Sequence, residues 1–362
     1  MRMATLPYAK EVGMSAKGSS TVGYACSYVP VEIVMAAGFT PQRVMPIGRC
    51  AEADGYIHPN TCFYVKSLLA DALSGAFADM SAVILANSCD GMRKLFDLWE
   101  AYVKHPVALF MDIPKKRQDD SAALFAAELK RLATNLSRIP GGKPLTNEGL
   151  NEAARQVNEL RLACINLFDA QKNPGCSIRG SDVFSLLREG SMLEPAEFKD
   201  KVAGFVQAHS GKHSAGNGRR ILVTGNILNN PDLVLMIEGA GGSVAGLDTC
   251  FGRRHYEMLV EEGTPDPYEA LARRYLLRPP CARMMGIAGQ IDELKKAVED
   301  TRADGVVLSK VKFCDNLTYN IPLLQEAVAA AGARCLVLEN DYEWSDVEKA
   351  RIKVEAFLEM LG

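Results

Sequence analysis

The most constraining feature of this sequence is a rhythm in its second half. Short apolar runs alternate with longer amphipathic ones, and each run ends at glycine or another turn residue. Arg220–Gly225 (RILVTG), Ser243–Asp248 (SVAGLD), Gly305–Lys310 (GVVLSK) and Arg334–Glu339 (RCLVLE) predict four strands. Between them the spacing predicts helices over Pro267–Leu277, Gln290–Arg302 and Ile321–Ala331, and a further one that Asn230 caps and Pro231 begins. Val347, Ala350, Val354, Phe357, Leu358 and Leu361 recur at helical spacing, so Trp344 to Leu361 closes the chain as a helix. Short apolar strands joined by helices demand a parallel sheet with right-handed crossovers. The class is α/β, doubly wound, of the flavodoxin-like or Rossmann-like kind.

The first half repeats the rhythm less cleanly. Helices are predicted over Pro30–Ala37, Thr61–Ala76 and Gly91–Val103, and strands over Gln42–Ile47, Ser81–Ala86 and Val107–Ile113. Residues 117–210 read as mostly helical, with apolar spacing over Asp120–Ile139, Leu150–Ala170 and Ala196–His209. At 362 residues the chain has room for about two domains. The expected division is an N-terminal arm (1–20), an N-terminal α/β domain (21–210) with a helical insertion at about 117–210, and a C-terminal flavodoxin-like domain (211–362). Gly211–Gly218 (GKHSAGNG) is the expected linker.

Composition excludes several classes. Hydrophobic residues make up 48% and charged residues 23%, which argues against disorder. A net charge of −3 gives no reason to expect a nucleic-acid partner. There is no run of about 18 apolar residues to span a membrane, and Met1 to Lys17 lacks the apolar core of a secretory signal. The expected location is therefore cytoplasmic and reducing. There the ten cysteines read as core residues, metal ligands or redox groups rather than disulfides.

The cysteines differ by position. Cys164 lies in an apolar helical run and Cys335 begins an apolar strand, so both read as core. Cys50 and Cys176 fall in loops and read as structural. Cys89 and Cys314 occupy equivalent places in a weak internal repeat: Ala82-Val-Ile-Leu-Ala-Asn-Ser-Cys-Asp90 and Val306-Val-Leu-Ser-Lys-Val-Lys-Phe-Cys-Asp315 each read strand, loop, Cys-Asp, helix. Cys62 follows His58-Pro59-Asn60-Thr61 at another helix start. A helix N-terminus favours a thiolate, and the ends of parallel strands are where α/β sheets place ligands. Three such thiols can hold an iron–sulfur cluster between two domains, with one iron left open. No CxxC pair occurs, so zinc-finger and ferredoxin spacings are both missing. Scattered thiols in an α/β protein are the alternative.

Gly23-Tyr-Ala-Cys-Ser-Tyr-Val-Pro-Val-Glu-Ile-Val-Met-Ala-Ala-Gly38 resembles the opening motif of the 2-hydroxyacyl-CoA dehydratase / benzoyl-CoA reductase family. His58-Pro-Asn-Thr-Cys62, Asn87-Ser-Cys-Asp90, Gly180-Ser-Asp182, Lys312-Phe-Cys-Asp315 and Glu355-Ala-Phe-Leu-Glu-Met-Leu361 follow in the family's order. The resemblance implies two Rossmann-like domains with a cluster in the cleft between them, and Cys62, Cys89 and Cys314 as ligands of a [4Fe-4S] cluster. It implies an (R)-2-hydroxyacyl-CoA substrate that loses water by way of a ketyl radical. It also implies a homo- or heterodimer with a related subunit, and a separate ATP-hydrolysing iron–sulfur activator that supplies the electron. Ser27 and Glu32, in the opening motif, are the candidate hydrogen-bonding or proton-transfer groups. Ser27 is otherwise a cap of the helix near Pro30, and Glu32 an ordinary first-turn acid.

Two alternatives follow from the same resemblance. Cys26, Cys250 and Cys281 add three thiols, as in homodimeric relatives that reduce small molecules with an [8Fe-9S] double-cubane cluster. A non-catalytic electron-relay subunit of a heterodimer is the other. Before the terminal motif, Lys349, Ile352 and Lys353 stand where the family often shows Gln and Thr-Arg, which departs from its usual CoA contacts. Arg253, Arg254, Lys310 and Lys312 are candidates for CoA phosphates, and are otherwise solvated side chains. No GxxxxGK[ST] loop occurs, so an ATPase of that type is not built in. A nicotinamide dehydrogenase is disfavoured because Gly239–Gly246 lies between helix and strand rather than between strand and helix.

Overall fold

A computed structural model describes residues 20–47, 50–212, 218–342 and 344–362. Nearly all of the expected N-terminal arm, and most of the expected linker, lie outside the described residues. The first half contains β1 (Thr21–Tyr24), α1 (Val31–Ala36), β2 (Thr40–Arg43), α2 (Phe63–Leu73), β3 (Ala82–Ala86), α3 (Asp90–Tyr102) and β4 (Val107–Met111). Four helices follow: α4 (Asp119–Ser137), α5 (Asn147–Gln171), α6 (Gly180–Gly190) and α7 (Pro195–His209). The second half contains β5 (Arg220–Gly225), α8 (Asp232–Gly239), β6 (Ser243–Asp248), α9 (Arg253–Tyr256), α10 (Pro267–Leu277) and α11 (Ile287–Thr301). It ends with β7 (Gly305–Val311), α12 (Asp315–Thr318), α13 (Ile321–Ala330), β8 (Arg334–Asn340) and α14 (Val347–Leu361).

The result is two four-stranded parallel sheets, ordered β2-β1-β3-β4 and β6-β5-β7-β8. In both, the first strand of the half pairs with the second on one side and the third on the other. The two sheets thus share one winding, and each has its switch point beside its first and third strands, where crossovers leave in opposite directions and open a crevice. β3 and β7, the third strands, carry the two halves of the internal repeat. Their central residues are fully buried, as expected of strands covered on both faces.

Some elements differ from the expectation. β1 escapes notice because it has four residues with Gly23 among them. That glycine leaves room for Met80, whose sulfur an added Cβ would meet at 2.6 Å. β2 begins at Thr40 rather than Gln42 and includes Pro41, which is tolerated because β2 is an edge strand. α6 also escapes notice. Pro231 is the capping residue of α8 rather than its first residue, so Asn230 is not the cap; it stands one position earlier, where its side-chain oxygen accepts from the Asp232 N–H at 3.1 Å.

Residues 117–210 serve both halves. α4 and the first half of α5 pack with α1 and with α10, which comes from the second half; Phe125, Leu132, Leu150 and Val157 meet Leu271 and Tyr275 in one core. The second half of α5, with α6 and α7, packs on the other sheet, where Leu160, Cys164, Phe184 and Phe198 meet Ile221, Val223 and Val307. α5 has 25 residues and is about 37 Å long, enough to begin in one core and end in the other. No helix among the described residues is long and apolar enough to cross a membrane.

Candidate metal centre in the cleft

The C-terminal ends of the two sheets face a common cleft of about 1150 Å³, counting its open mouth. Six of the ten cysteines line it: Cys26, Cys62, Cys89, Cys250, Cys281 and Cys314. The other four lie elsewhere. Cys164 is fully buried in α5, and Cys335 is the second residue of β8, with its thiol pushed up to about 11 by burial. Cys50 packs its sulfur 3.1 Å from the Ser67 hydroxyl, and Cys176 donates to the Gln171 carbonyl.

Cys62, Cys89 and Cys314 share a local geometry. Each is the residue that caps a helix: α2, α3 and α12 respectively. The Met92 N–H donates to the Cys89 sulfur at 3.4 Å. The amide N–H groups of Tyr64 and Val65 favour the Cys62 thiolate, and the Leu317 N–H favours that of Cys314. The first turn of a helix leaves such donors unbonded, so a capping cysteine meets N–H groups that would otherwise lack a partner. Cys89 follows β3 and Cys314 follows β7, so the shared winding of the sheets brings the two copies of the repeat to one place.

Burial works against ionisation of these thiols. It pushes Cys62 well above its ordinary value, with Cys314 and Cys89 adding like-charge repulsion. Cys89 is raised to about 11, against the pull of the Met92 N–H. Cys314 is raised by burial, with the Leu317 N–H and the Asn226 amide opposing. Cys250 is also raised to about 11 by burial; Arg254 opposes, while Cys281 and Cys26 add repulsion. By these neighbours the thiols form two overlapping trios: Cys62 has Cys89 and Cys314 beside it, and Cys250 has Cys26 and Cys281. The trios adjoin, because Cys89 also feels Cys26 and Cys314 feels Cys281.

The two ends of the cleft have different surroundings. The first trio meets neutral N–H donors. The second sits among arginines: Arg43 and Arg254 act on Cys250, and Arg278 and Arg283 stand over the ring of Tyr28, beside Cys281. Arg254, a candidate solvated side chain by sequence, is instead held inside the wall, with Nε 2.8 Å from Asp248 Oδ1. Arg253 pairs with Glu257 and Asp300, Lys310 pairs with Glu339, and Lys312 lies over the rings of Phe63 and Phe313.

The two candidates from the opening motif part company. Ser27 lines the cleft and does not cap α1, whose capping residue is Pro30. Its hydroxyl oxygen accepts from Arg278 Nη2 at 2.9 Å, which leaves its hydrogen available to a group in the cleft. Glu32 is not on the cleft wall. Its carboxylate is fully buried between α1, α5 and α10, where it accepts from Arg161 Nη2 at 2.5 Å and from the Tyr275 hydroxyl at 2.8 Å. That pair holds together three helices from different parts of the chain, and it replaces the expectation of a group poised at the cleft.

Among the described residues no three His, Cys, Asp or Glu side chains converge closely enough to hold a single metal ion. A polynuclear cluster makes a different demand, because its thiolates bind separate irons and surround it. A ring of thiols suits that demand. Arg43, Arg283 and Gln290 also line the cleft, and each keeps one side-chain nitrogen enclosed in the protein without an acceptor. Sequence reasoning missed these donors and Asn226, because nothing in their spacing places them beside the cysteines.

The chain matches the 2-hydroxyglutaryl-CoA dehydratase, D-component family over residues 26–361. It is 25% identical to the (R)-phenyllactyl-CoA dehydratase beta subunit of Clostridium sporogenes, over 96% of this chain and 93% of that protein. It is 25% identical to a benzoyl-CoA reductase subunit of Thauera aromatica, over 84% of this chain and 81% of that protein. It is 22% identical to the (R)-2-hydroxyglutaryl-CoA dehydratase subunit beta of Acidaminococcus fermentans, over 96% and 93%. The family match begins at Cys26 and ends one residue before the C-terminal glycine, taking in every strand of the two sheets except β1 and all six cysteines of the cleft, and the chain belongs to the 2-hydroxyglutaryl-CoA dehydratase, D-component family.

Proposed function

We propose that this chain is the iron–sulfur subunit of a 2-hydroxyacyl-CoA dehydratase-type enzyme, with Cys62, Cys89 and Cys314 as ligands of a [4Fe-4S] cluster. The observation that carries the reading is the shared placement of these three thiols. Each holds the capping position of a helix, the Cys89 sulfur accepts from the Met92 N–H, and all three line one cleft. When bound, such a cluster supplies a low-potential electron and, at an iron without a protein ligand, a Lewis acid. The chain's own residues do the rest. The helix first turns neutralise thiolate charge. Arg278 fixes the Ser27 hydroxyl oxygen, so that the Ser27 hydrogen points toward an acceptor on the substrate. The apolar wall formed by Ala25, Val65, Leu294 and Leu308 keeps water from the reacting acyl group. The electron comes from a separate ATP-hydrolysing activator, and the working unit pairs this chain with a related subunit in the cytoplasm.

A second reading is favoured by the other three thiols of the same cleft. Cys26, Cys250 and Cys281 would complete the ligand set of a double-cubane cluster, in a homodimer that reduces small molecules. Iron and sulfide counting after anaerobic purification decides between the two. About four irons per chain supports the dehydratase reading, and about eight supports the double cubane. Full retention of iron when Cys62, Cys89 and Cys314 are all replaced by alanine would remove the ligand assignment, as would iron-free wild-type protein.

A further inference from the structure

We propose that Asn226 tunes the cluster, by donating a side-chain N–H to the Cys314 sulfur and so raising the reduction potential. The inference rests on the reading of Cys314 as a ligand.

Asn226 directly follows β5, at the switch point of the second sheet. Gly225 puts it there. At φ +125° the chain passes so close to β7 that an added Cβ would lie 2.0 Å from the Ser309 carbonyl oxygen, and only glycine allows the approach. The Asn226 N–H then donates to the same carbonyl at 3.0 Å. Its side-chain oxygen accepts from the Val311 N–H at 2.9 Å. A backbone N–H must face the oxygen end of an amide, so the two ends of this side chain are not interchangeable. The NH2 group is turned toward Cys314, where Nδ2 lies 3.4 Å from Sγ. Two hydrogen bonds to neighbouring strand residues thus aim the third.

Cys314 also has particular need of a side-chain donor. Cys62 and Cys89 cap helices of 11 and 13 residues, whereas α12 has four. A single turn sums few peptide dipoles. A hydrogen bond to a ligating sulfur withdraws electron density and favours the reduced cluster. One such bond changes the equilibrium by about 3- to 10-fold.

The test compares two variants with the wild-type protein, all purified anaerobically with their cluster. Asn226→Asp keeps the shape and the acceptor for Val311 but has no donor. Asn226→Ala removes the donor without adding charge. Midpoint potentials are read by redox titration followed by electron paramagnetic resonance, with iron content and circular dichroism as checks. The expected result is a more negative potential in both, lower in Asn226→Asp. The loss in Asn226→Ala should match the 3- to 10-fold change at about 59 mV per tenfold. Unchanged potentials overturn the inference, and so does a shift confined to Asn226→Asp, which would make charge rather than the hydrogen bond the cause. Wild-type protein without iron overturns the ligand reading itself, a result distinguishable from either.

Discussion

The guanidinium of Arg278 lies 4.2 Å from the centre of the Tyr28 ring. Arg283 stands 5.0 Å from the same ring, so one aromatic ring serves two cations. Arg278 also donates to the Ser27 carbonyl and hydroxyl oxygens and to the Arg254 carbonyl, tying the loop that carries Cys26 to the segment that carries Cys281. The Tyr28 hydroxyl, by contrast, is buried with only the Cys281 backbone N–H beside it, too poorly aligned for a full hydrogen bond. The ring therefore stabilises this corner and the hydroxyl does not. Tyr28→Phe should leave the melting temperature unchanged or slightly raised. Arg278→Met, which strips three acceptors of a charged donor, should cost about 3 kcal/mol in denaturant unfolding. Equal losses in the two variants would contradict this account.

Glu32 and Arg161 make a second buried relationship, and its prediction separates structure from catalysis. Replacing one partner leaves the other charged in the core, so Glu32→Gln should destabilise by about 3–5 kcal/mol. The double variant Glu32→Met, Arg161→Met should recover much of that loss, because no uncompensated charge remains. Enzyme that stays folded should keep its pH–rate profile. A profile that moves in Glu32→Gln while stability holds would return Glu32 to the proton-transfer role that its place in the opening motif suggests.

Phe313 precedes Cys314 with φ +62°, a left-handed conformation that costs a side-chain-bearing residue about 1–2 kcal/mol. Its ring stacks on Phe63, which follows Cys62, with centroids 5.9 Å apart and planes 12° from parallel. The stack joins the two halves next to two thiols. Alanine at 313 would lose the ring and keep the strain, whereas glycine would lose both. Phe313→Gly should therefore be the more stable by about 1 kcal/mol, read from unfolding midpoints of the iron-free proteins. The reverse order would mean that the backbone relaxes when the ring is removed.

The distribution of legible and hidden features follows from range. Strands such as Val306–Leu308 are apolar on both faces and bounded by turns, so local pattern suffices to find them. The place of Cys89 and Cys314 was legible for the same reason, because Cys89-Asp90 and Cys314-Asp315 stand between a strand and a helix; their capping role was not, since the sequence points to the aspartates as the caps and the structure makes them the first helical residues. β1 was not, since Gly23 is chosen by contact with Met80, 57 positions away in sequence. Glu32 misled for a similar reason: a first-turn acid looks solvated until Arg161 and Tyr275, from α5 and α10, are folded against it. Arg43, Arg283, Gln290 and Asn226 come to the cleft from four separate segments. Each is an ordinary polar residue in its own neighbourhood, and only the winding of two sheets puts them beside the thiols.

The raised thiols of the cleft make pH the last lever. Cys89 and Cys250 each move from an ordinary value of 9.0 to about 11, burial being the main cause. Both are acids whose pKa is raised by folding, so the unfolded chain gives up these protons first. Their contribution to stability is complete below about pH 9 and is lost as pH rises from 9 through 11. Each shift amounts to about 2–3 kcal/mol. The melting temperature of iron-free protein should thus hold steady to about pH 9 and fall beyond it. The Cys89→Ala, Cys250→Ala double variant should show a shallower fall. Iron binding acts in the opposite sense. It requires thiolates, so it must displace protons from groups that hold them tightly, and loading should release protons and strengthen as pH rises. Reconstitution in weak buffer with a pH indicator measures that release, once the proton that each hydrosulfide gives up on entering the cluster is subtracted. A loading reaction without acidification would mean that the cleft thiols are already ionised, and that the helix N–H donors outweigh burial.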